Sequence, residues 1–96
     1  MSAPLTQTEI GNNLKKLLGW EFLENKLTKE FQFIDFKEAL AFIVRVGMEA
    51  ESKNHHPEIF NVYNKVSISL QTHDAGKKVT SKDVDLARAI EGIYSK

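Results

Sequence analysis

Apolar residues recur at helical spacing in three stretches of the chain and at alternate positions in another, and this rhythm predicts most of its elements. In the first stretch Ile10, Leu14, Leu17 and Leu18 form one stripe, the mark of a helix with a single buried face. Thr6 and Glu9 stand at the two positions of a capping box, with Leu5 and Ile10 placed to staple across it. The helix is expected to run to Leu18, with Gly19 ending it in a left-handed turn. Trp20 to Glu24 and Leu27 to Ile34 are rich in aromatic and branched residues and are separated by Asn25-Lys26, which predicts a hairpin. Asp35 then caps a second helix with Glu38 three residues on, and Phe36, Ala39, Leu40, Ile43, Val46, Gly47 and Ala50 repeat at its period. That helix should end near Ser52 to Asn54, because His56 precedes Pro57 and the residue before a proline is pushed towards extended geometry.

From Val62 to Thr72 the period changes to two. Val62, Val66, Ile68 and Leu70 alternate with Lys65, Ser67, Ser69 and Gln71, the pattern of a half-buried strand. Continuing the alternation sets His73 on the face away from the apolar set, where the strand gives way to Asp74-Ala75-Gly76. Thr80 with Asp83 repeats the capping-box pattern, and Leu86, Ala87, Ile90, Ile93 and Tyr94 form the apolar side of a last helix. The expected fold is α+β, in the order α-β-β-α-β-α, with room for a further short strand after His73. Its antiparallel sheet is covered on one face by helices. No linker or repeat divides residues 1–96, so one domain is expected.

Composition narrows the function classes. Thirteen Lys plus Arg balance thirteen Asp plus Glu, so the chain lacks the net positive field that supplies most non-specific nucleic-acid affinity. There is no cysteine, which excludes a disulfide framework, a thiolate metal site and a cysteine nucleophile. Met1 to Glu9 carries no basic region followed by an apolar stretch, and the longest apolar run, Ala39 to Val44, is far too short to span a bilayer. A cytoplasmic protein with no membrane contact is the expectation. A 96-residue chain builds only a modest core, which makes self-association a natural route to further burial.

The candidate chemistry sits in His55-His56-Pro57 and Thr72-His73-Asp74, which hold all three histidines, each at the junction between a regular element and a loop. As a residue type histidine can give or take a proton near neutral pH. Spacing alone leaves three readings open: a proton-transfer site, a zinc site, or three unrelated surface histidines. Zinc would need ligands converging at about 2.0–2.1 Å, and neighbours in an extended His-His-Pro segment tend to diverge.

The run His55-His56-Pro57-Glu58-Ile59-Phe60-Asn61-Val62-Tyr63-Asn64-Lys65-Val66, followed by Leu70, Thr72-His73-Asp74, Gly76, Thr80, Asp83 and Leu86-Ala87, closely resembles the pterin-4a-carbinolamine dehydratase family. Gly19-Trp20, Phe31-Gln32-Phe33, Phe36, the Ala39 to Val46 helix and Glu51 fit the same pattern, so the resemblance spans nearly the full chain. It implies a hydro-lyase that removes water from 4a-hydroxytetrahydrobiopterin to give quinonoid dihydrobiopterin in tetrahydrobiopterin recycling, with no cofactor and no metal. It further implies that His55 and His73 are the principal proton carriers and His56 an auxiliary catalytic group, with Glu51, Pro57, Thr72, Asp74 and Asp83 around the substrate. Asp83 has a second reading as a simple helix cap. The family also implies a homo-oligomer, tetramer before dimer. Some members bind the dimerisation helices of a transcription factor, which makes an interaction module the alternative function and the nucleus a second compartment; Phe42 and Val44 are candidates for that surface, with core or self-association contacts as their commoner reading. Two departures stand out: Ile59 occupies a position where the family usually has tryptophan, and Gly76-Lys77-Lys78-Val79 replaces a shorter loop that more often holds two glycines.

Overall fold

The computed structural model describes residues 3–95; Met1, Ser2 and Lys96 lie outside it. Helix α1 spans Gln7–Leu14, strands β1 and β2 span Glu21–Leu23 and Lys26–Gln32, and helix α2 spans Phe36–Ser52. Strands β3 (Glu58–Val62) and β4 (Lys65–Leu70) follow, then a short 3-10 turn at His73–Ala75 and helix α3 over Ser81–Tyr94. The four strands form one antiparallel sheet in the order β1-β2-β4-β3. Register places Leu27 opposite Leu70 and Phe31 opposite Val66, and these residues together with Ile68 are fully buried. They form the sheet face on which α2 and α3 pack. The α+β class and the helix-covered antiparallel sheet match the sequence expectation.

The caps form as the sequence predicts. The Thr6 hydroxyl accepts the Glu9 amide at 3.1 Å while Glu9 accepts the Thr6 amide at 2.8 Å, and Asp35 accepts the Glu38 amide at 2.9 Å. Helix α1 ends at Leu14 rather than Leu18, because the chain must turn through Gly19 to bring Leu17 and Trp20 into the core, leaving Leu18 outside. Gly19 has φ +85°, which favours glycine, and a Cβ there would lie 2.9 Å from Lys29 Cε, so a larger residue would also have to displace the lysine tip.

The hairpin turn is Glu24-Asn25, one residue earlier than expected, and both residues have positive φ, 52° and 61°, the geometry of a type I′ turn. More consequential, the single strand expected from Val62 to Thr72 is two strands. Val62 ends β3 and pairs with Lys65 across Tyr63-Asn64, a turn without glycine at which the alternation lapses, with Asn64 in an apolar place and Tyr63 in a polar one. Among the described residues no further strand follows His73. The chain makes its 3-10 turn there, passes through Gly76 and Lys77 at φ 75° and 59°, and returns as an isolated bridge between Thr72 and Lys78. Thr80 caps α3 immediately afterwards, so no length remains for a strand.

Phe42 belongs to the core at 3% exposure, with its ring 4.9 Å from those of Phe31 and Phe33, and it is therefore not part of an interaction surface. Phe36 and Leu40, expected to face inward, are 46% and 43% exposed. The apolar sector of α2 is wider than the sheet and α3 cover, and Ala39, Phe42, Val46 and Ala50 take the covered line. On β2, Lys29 faces the core: its ammonium donates to Glu91 at 2.7 Å and to the Leu18 carbonyl at 2.9 Å, while Trp20 Nε1 donates to the same Glu91 oxygen at 2.8 Å.

Candidate functional site

The end of α2, the end of β4 and the start of α3 meet at one corner of the molecule. Asn54 leaves α2 in the left-handed region at φ 51°, and the His55 amide donates back to the Ala50 carbonyl at 3.1 Å, which closes the helix and aims His55 across the corner. The Thr72–Lys78 bridge holds the end of β4 in place, with Thr72 N–H donating to the Lys78 carbonyl at 2.8 Å. Between these segments lies a hollow of about 250 Å³ lined by all three histidines together with Asn54, Gln71, Thr72, Asp74 and Lys82.

Behind the hollow is a buried carboxylate. Asp83 is fully buried, and its Oδ1 lies 2.6 Å from His55 Nε2, on a side chain that keeps only 10% of its exposure. Its Oδ2 accepts the Thr72 hydroxyl at 2.8 Å and the Thr80 amide at 2.8 Å. With a donor on each free direction, the carboxylate makes His55 Nε2 a donor too, and the histidine tautomer follows from that network. His55 Nδ1 has no hydrogen-bond partner among the described residues and is not sealed from solvent. A neutral imidazole held this way can accept a proton at Nδ1 and share the resulting charge with Asp83, the logic by which a carboxylate orients a working histidine.

The other expected site residues divide by location. His56 is exposed at the rim, and its Nε2 lies 2.8 Å from Glu51 Oε1, on a side chain that is also exposed; Glu51 does not line the hollow. Pro57 is half-buried between the histidine pair and β3. His73 and Asp74 sit on the 3-10 turn, exposed and lining the hollow. Asp83 is fully buried and does not line the hollow; it meets the hollow through His55 and Thr72, which do. Ile59, opposite Ile68, borders no part of it within one copy of the chain.

Asn54, Gln71 and Lys82 line the hollow without having been singled out. Gln71 is the next polar position of the strand alternation after Ser69 and could have been found from it; nothing in the sequence around Lys82 marks it. A larger hollow of about 660 Å³ lies beside Val44, Met48 and Ile93, but it contains no histidine and no buried carboxylate. The side chains able to carry a proton line the smaller one.

A family model described as pterin 4 alpha carbinolamine dehydratase matches residues 3–93. The chain belongs to this family. Relatives that bear the name "Putative pterin-4-alpha-carbinolamine dehydratase" include one from Opitutus terrae, 50% identical over 97% of this chain and 96% of its own length. Others come from Christiangramia forsetii, 47% identical over 97% and 95%, and from Sulfurisphaera tokodaii, 47% identical over 95% and 97%. The crystal structure of a transcriptional coactivator/pterin dehydratase from Brucella melitensis superposes with a TM-score of 0.90 at 36% identity, covering 95% of this chain and 98% of that one. The pterin dehydratase family is thus matched in sequence and in fold across nearly the full chain. Among the described residues no helix is long and apolar enough to cross a membrane.

Proposed function

We propose that this pterin dehydratase family member removes water from 4a-hydroxytetrahydrobiopterin. The observation that carries the proposal is the buried Asp83–His55 pair at 2.6 Å, opening on a hollow that His56 and His73 also line. In the elimination the N5–H bond breaks and its electrons form the N5=C4a double bond as the C4a–O bond breaks. His55 Nδ1 takes the N5 proton, and Asp83 stabilises the imidazolium. His73, on the facing turn, supplies a proton to the departing hydroxyl, which leaves as water. His56, braced by Glu51 at the rim, positions the ring, with Asp74 and Pro57 beside it. The oxidation level does not change, so two proton carriers suffice, each typically contributing about 10²–10⁴-fold. The role fits recycling of the quinonoid dihydropterin, with the enzyme in the cytoplasm. The test is loss of the carbinolamine absorbance when the substrate is generated by an aromatic amino-acid hydroxylase. Acceleration at catalytic protein concentration is expected, and its absence would sink the proposal.

The molecule also has two uncovered surfaces suited to a second copy of the chain. Strand β3 is a sheet edge with no lysine or proline, and Phe60 and Val62 on it are exposed, whereas natural proteins usually blunt or cover such an edge. On α2, Phe36, Leu40, Val44 and Met48 make an exposed stripe at a spacing of four. Two separate self-complementary surfaces build a dimer of dimers, so a tetramer is the favoured assembly and a dimer the next. The α2 stripe is also what the alternative reading, a helix-binding coactivator, would use; catalysis is favoured because that reading leaves the His55–Asp83 pair without a purpose.

A further inference from the structure

Two hydroxyl groups stand behind His55, both on buried residues, Thr72 and Thr80. Their oxygens are 2.7 Å apart, and Thr72 Oγ1 lies 2.8 Å from Asp83 Oδ2. Thr80 Oγ1 also accepts the Lys82 amide at 3.2 Å, and the Thr80 amide donates to Asp83 Oδ2 at 2.8 Å. Each hydroxyl has one hydrogen to give, so the row can run in only two senses. Towards Asp83, Thr80 donates to Thr72 and Thr72 to the carboxylate, and every hydrogen finds an acceptor. In the reverse sense a protonated Asp83 donates to Thr72 and Thr72 to Thr80. The Thr80 hydrogen then has no acceptor among these partners, in a residue with no solvent exposure, and buried donors are rarely left that way.

We propose that Thr72 and Thr80 are positioning residues that fix the tautomer of His55. Their hydroxyls point one way, which keeps Asp83 an acceptor on every side. His55 Nε2 must then carry the hydrogen, and Nδ1 is the nitrogen left to take a proton. Thr72 accordingly spends its hydroxyl inside the protein instead of offering it to the substrate, and Thr80 combines this role with capping α3. The inference rests on the reading of His55 as the proton acceptor, but its structural half stands without catalysis.

Full-length protein labelled with ¹⁵N-histidine tests both halves. Long-range ¹H–¹⁵N spectra should show neutral His55 as the Nε2–H tautomer in the native protein and a mixture in Thr72→Val, while Thr72→Ser restores the native pattern. Turnover should follow: kcat about 10-fold or more lower for Thr72→Val with KM little changed, and recovery in the serine variant, in line with the roughly 10–100-fold that partners orienting metal-bound imidazoles contribute. Should Thr72→Val fail to fold, Thr80→Val and Thr80→Ser carry the same comparison. Native tautomer and native kcat in the valine variants would overturn the inference, as would serine variants no better than valine, since packing and not the hydroxyl would then be at work. Altered tautomers in a protein with no dehydratase turnover would instead uphold the positioning and sink the catalytic reading.

Discussion

Replacing Asp83 by Asn is a perturbation whose outcome can be worked from the network. The Oδ2 side of the carboxylate faces two donors, the Thr72 hydroxyl and the Thr80 amide, while the Oδ1 side faces only His55 Nε2. An amide has one oxygen and one NH₂ group, and the oxygen must turn towards the two donors. The NH₂ then faces His55, Nε2 becomes an acceptor, and the ring hydrogen moves to Nδ1, the nitrogen proposed above to take the substrate proton. Contacts and volume are preserved, so the fold should survive. The loss is about 2 kcal/mol from removing a buried negative charge in the first turn of α3. Catalysis should suffer far more: general acid–base steps are typically worth about 10²–10⁴-fold, so kcat should fall by that much, or about 3–5 kcal/mol at 1.36 kcal/mol per tenfold. The checks are kcat in the carbinolamine assay, circular dichroism for the fold, and the His55 tautomer by ¹⁵N NMR. Turnover within about threefold of native in a folded Asp83→Asn protein whose tautomer has flipped would refute the role given to His55.

His55→Ala and His73→Ala should each lower kcat by about 10²-fold or more, and the double variant should lose less than their product, because residues serving one transition state do not act independently; His56→Ala should act mainly on KM. Four chains of 10.9 kDa give about 44 kDa by sedimentation, and Phe60→Asp on β3 or Val44→Asp on α2 should each halve that mass, whereas a monomer in the native protein would contradict the two-surface proposal. Lys77 holds φ 59° without being glycine, so Lys77→Gly should leave thermal stability unchanged or raise it by up to about 1 kcal/mol, and a clear drop in Tm would show that the Lys77 side chain makes a needed contact. Exhaustive chelation should leave turnover intact, since the elimination proposed needs only proton transfer; activity lost on chelation and restored by zinc would overturn the mechanism.

Most of the architecture could be read from the chain because its signals are local. The capping boxes at Thr6 and Thr80 and the N-cap at Asp35 set three helix starts at the observed residues, and the period-two run through Val66, Ile68 and Leu70 marks the buried side of β4. What escaped depends on partners distant in sequence. The break at Tyr63-Asn64 lacks the glycine that flags a tight turn, and Asn64 is held there by its side chain donating to the Phe33 carbonyl at 2.8 Å, a contact 31 residues away. Whether Phe42 or Phe36 lies inward depends on where α3 crosses α2, which no property of α2 encodes. The site behaved likewise. The histidines stood out by type and grouping, yet the depth of Asp83 and the pairing of Thr72 with Thr80 emerge only when β4 ends beside the start of α3. Asp83 read equally as a cap or as a site residue, and in the structure it accepts the Thr80 amide as well as facing His55.

The Lys29–Glu91–Trp20 junction has a bearing on tolerance to mechanical error. Glu91 lies eight residues beyond Asp83 on α3, about 12 Å along the axis at 1.5 Å per residue, and its carboxylate is gripped from the sheet by Lys29 and from the preceding loop by Trp20. A helix packed by smooth apolar side chains can roll on its bed. With side-chain tips about 5–6 Å from the axis, a roll of about 10° would carry the Asp83 carboxylate sideways by roughly 1 Å, a displacement that typically costs about 10²-fold in rate when it misaligns a reacting group. The grip on Glu91 acts as a torsional brake on α3, so the alignment of the carboxylate that meets His55 at one end of that helix is tied to an ion pair two turns further along it.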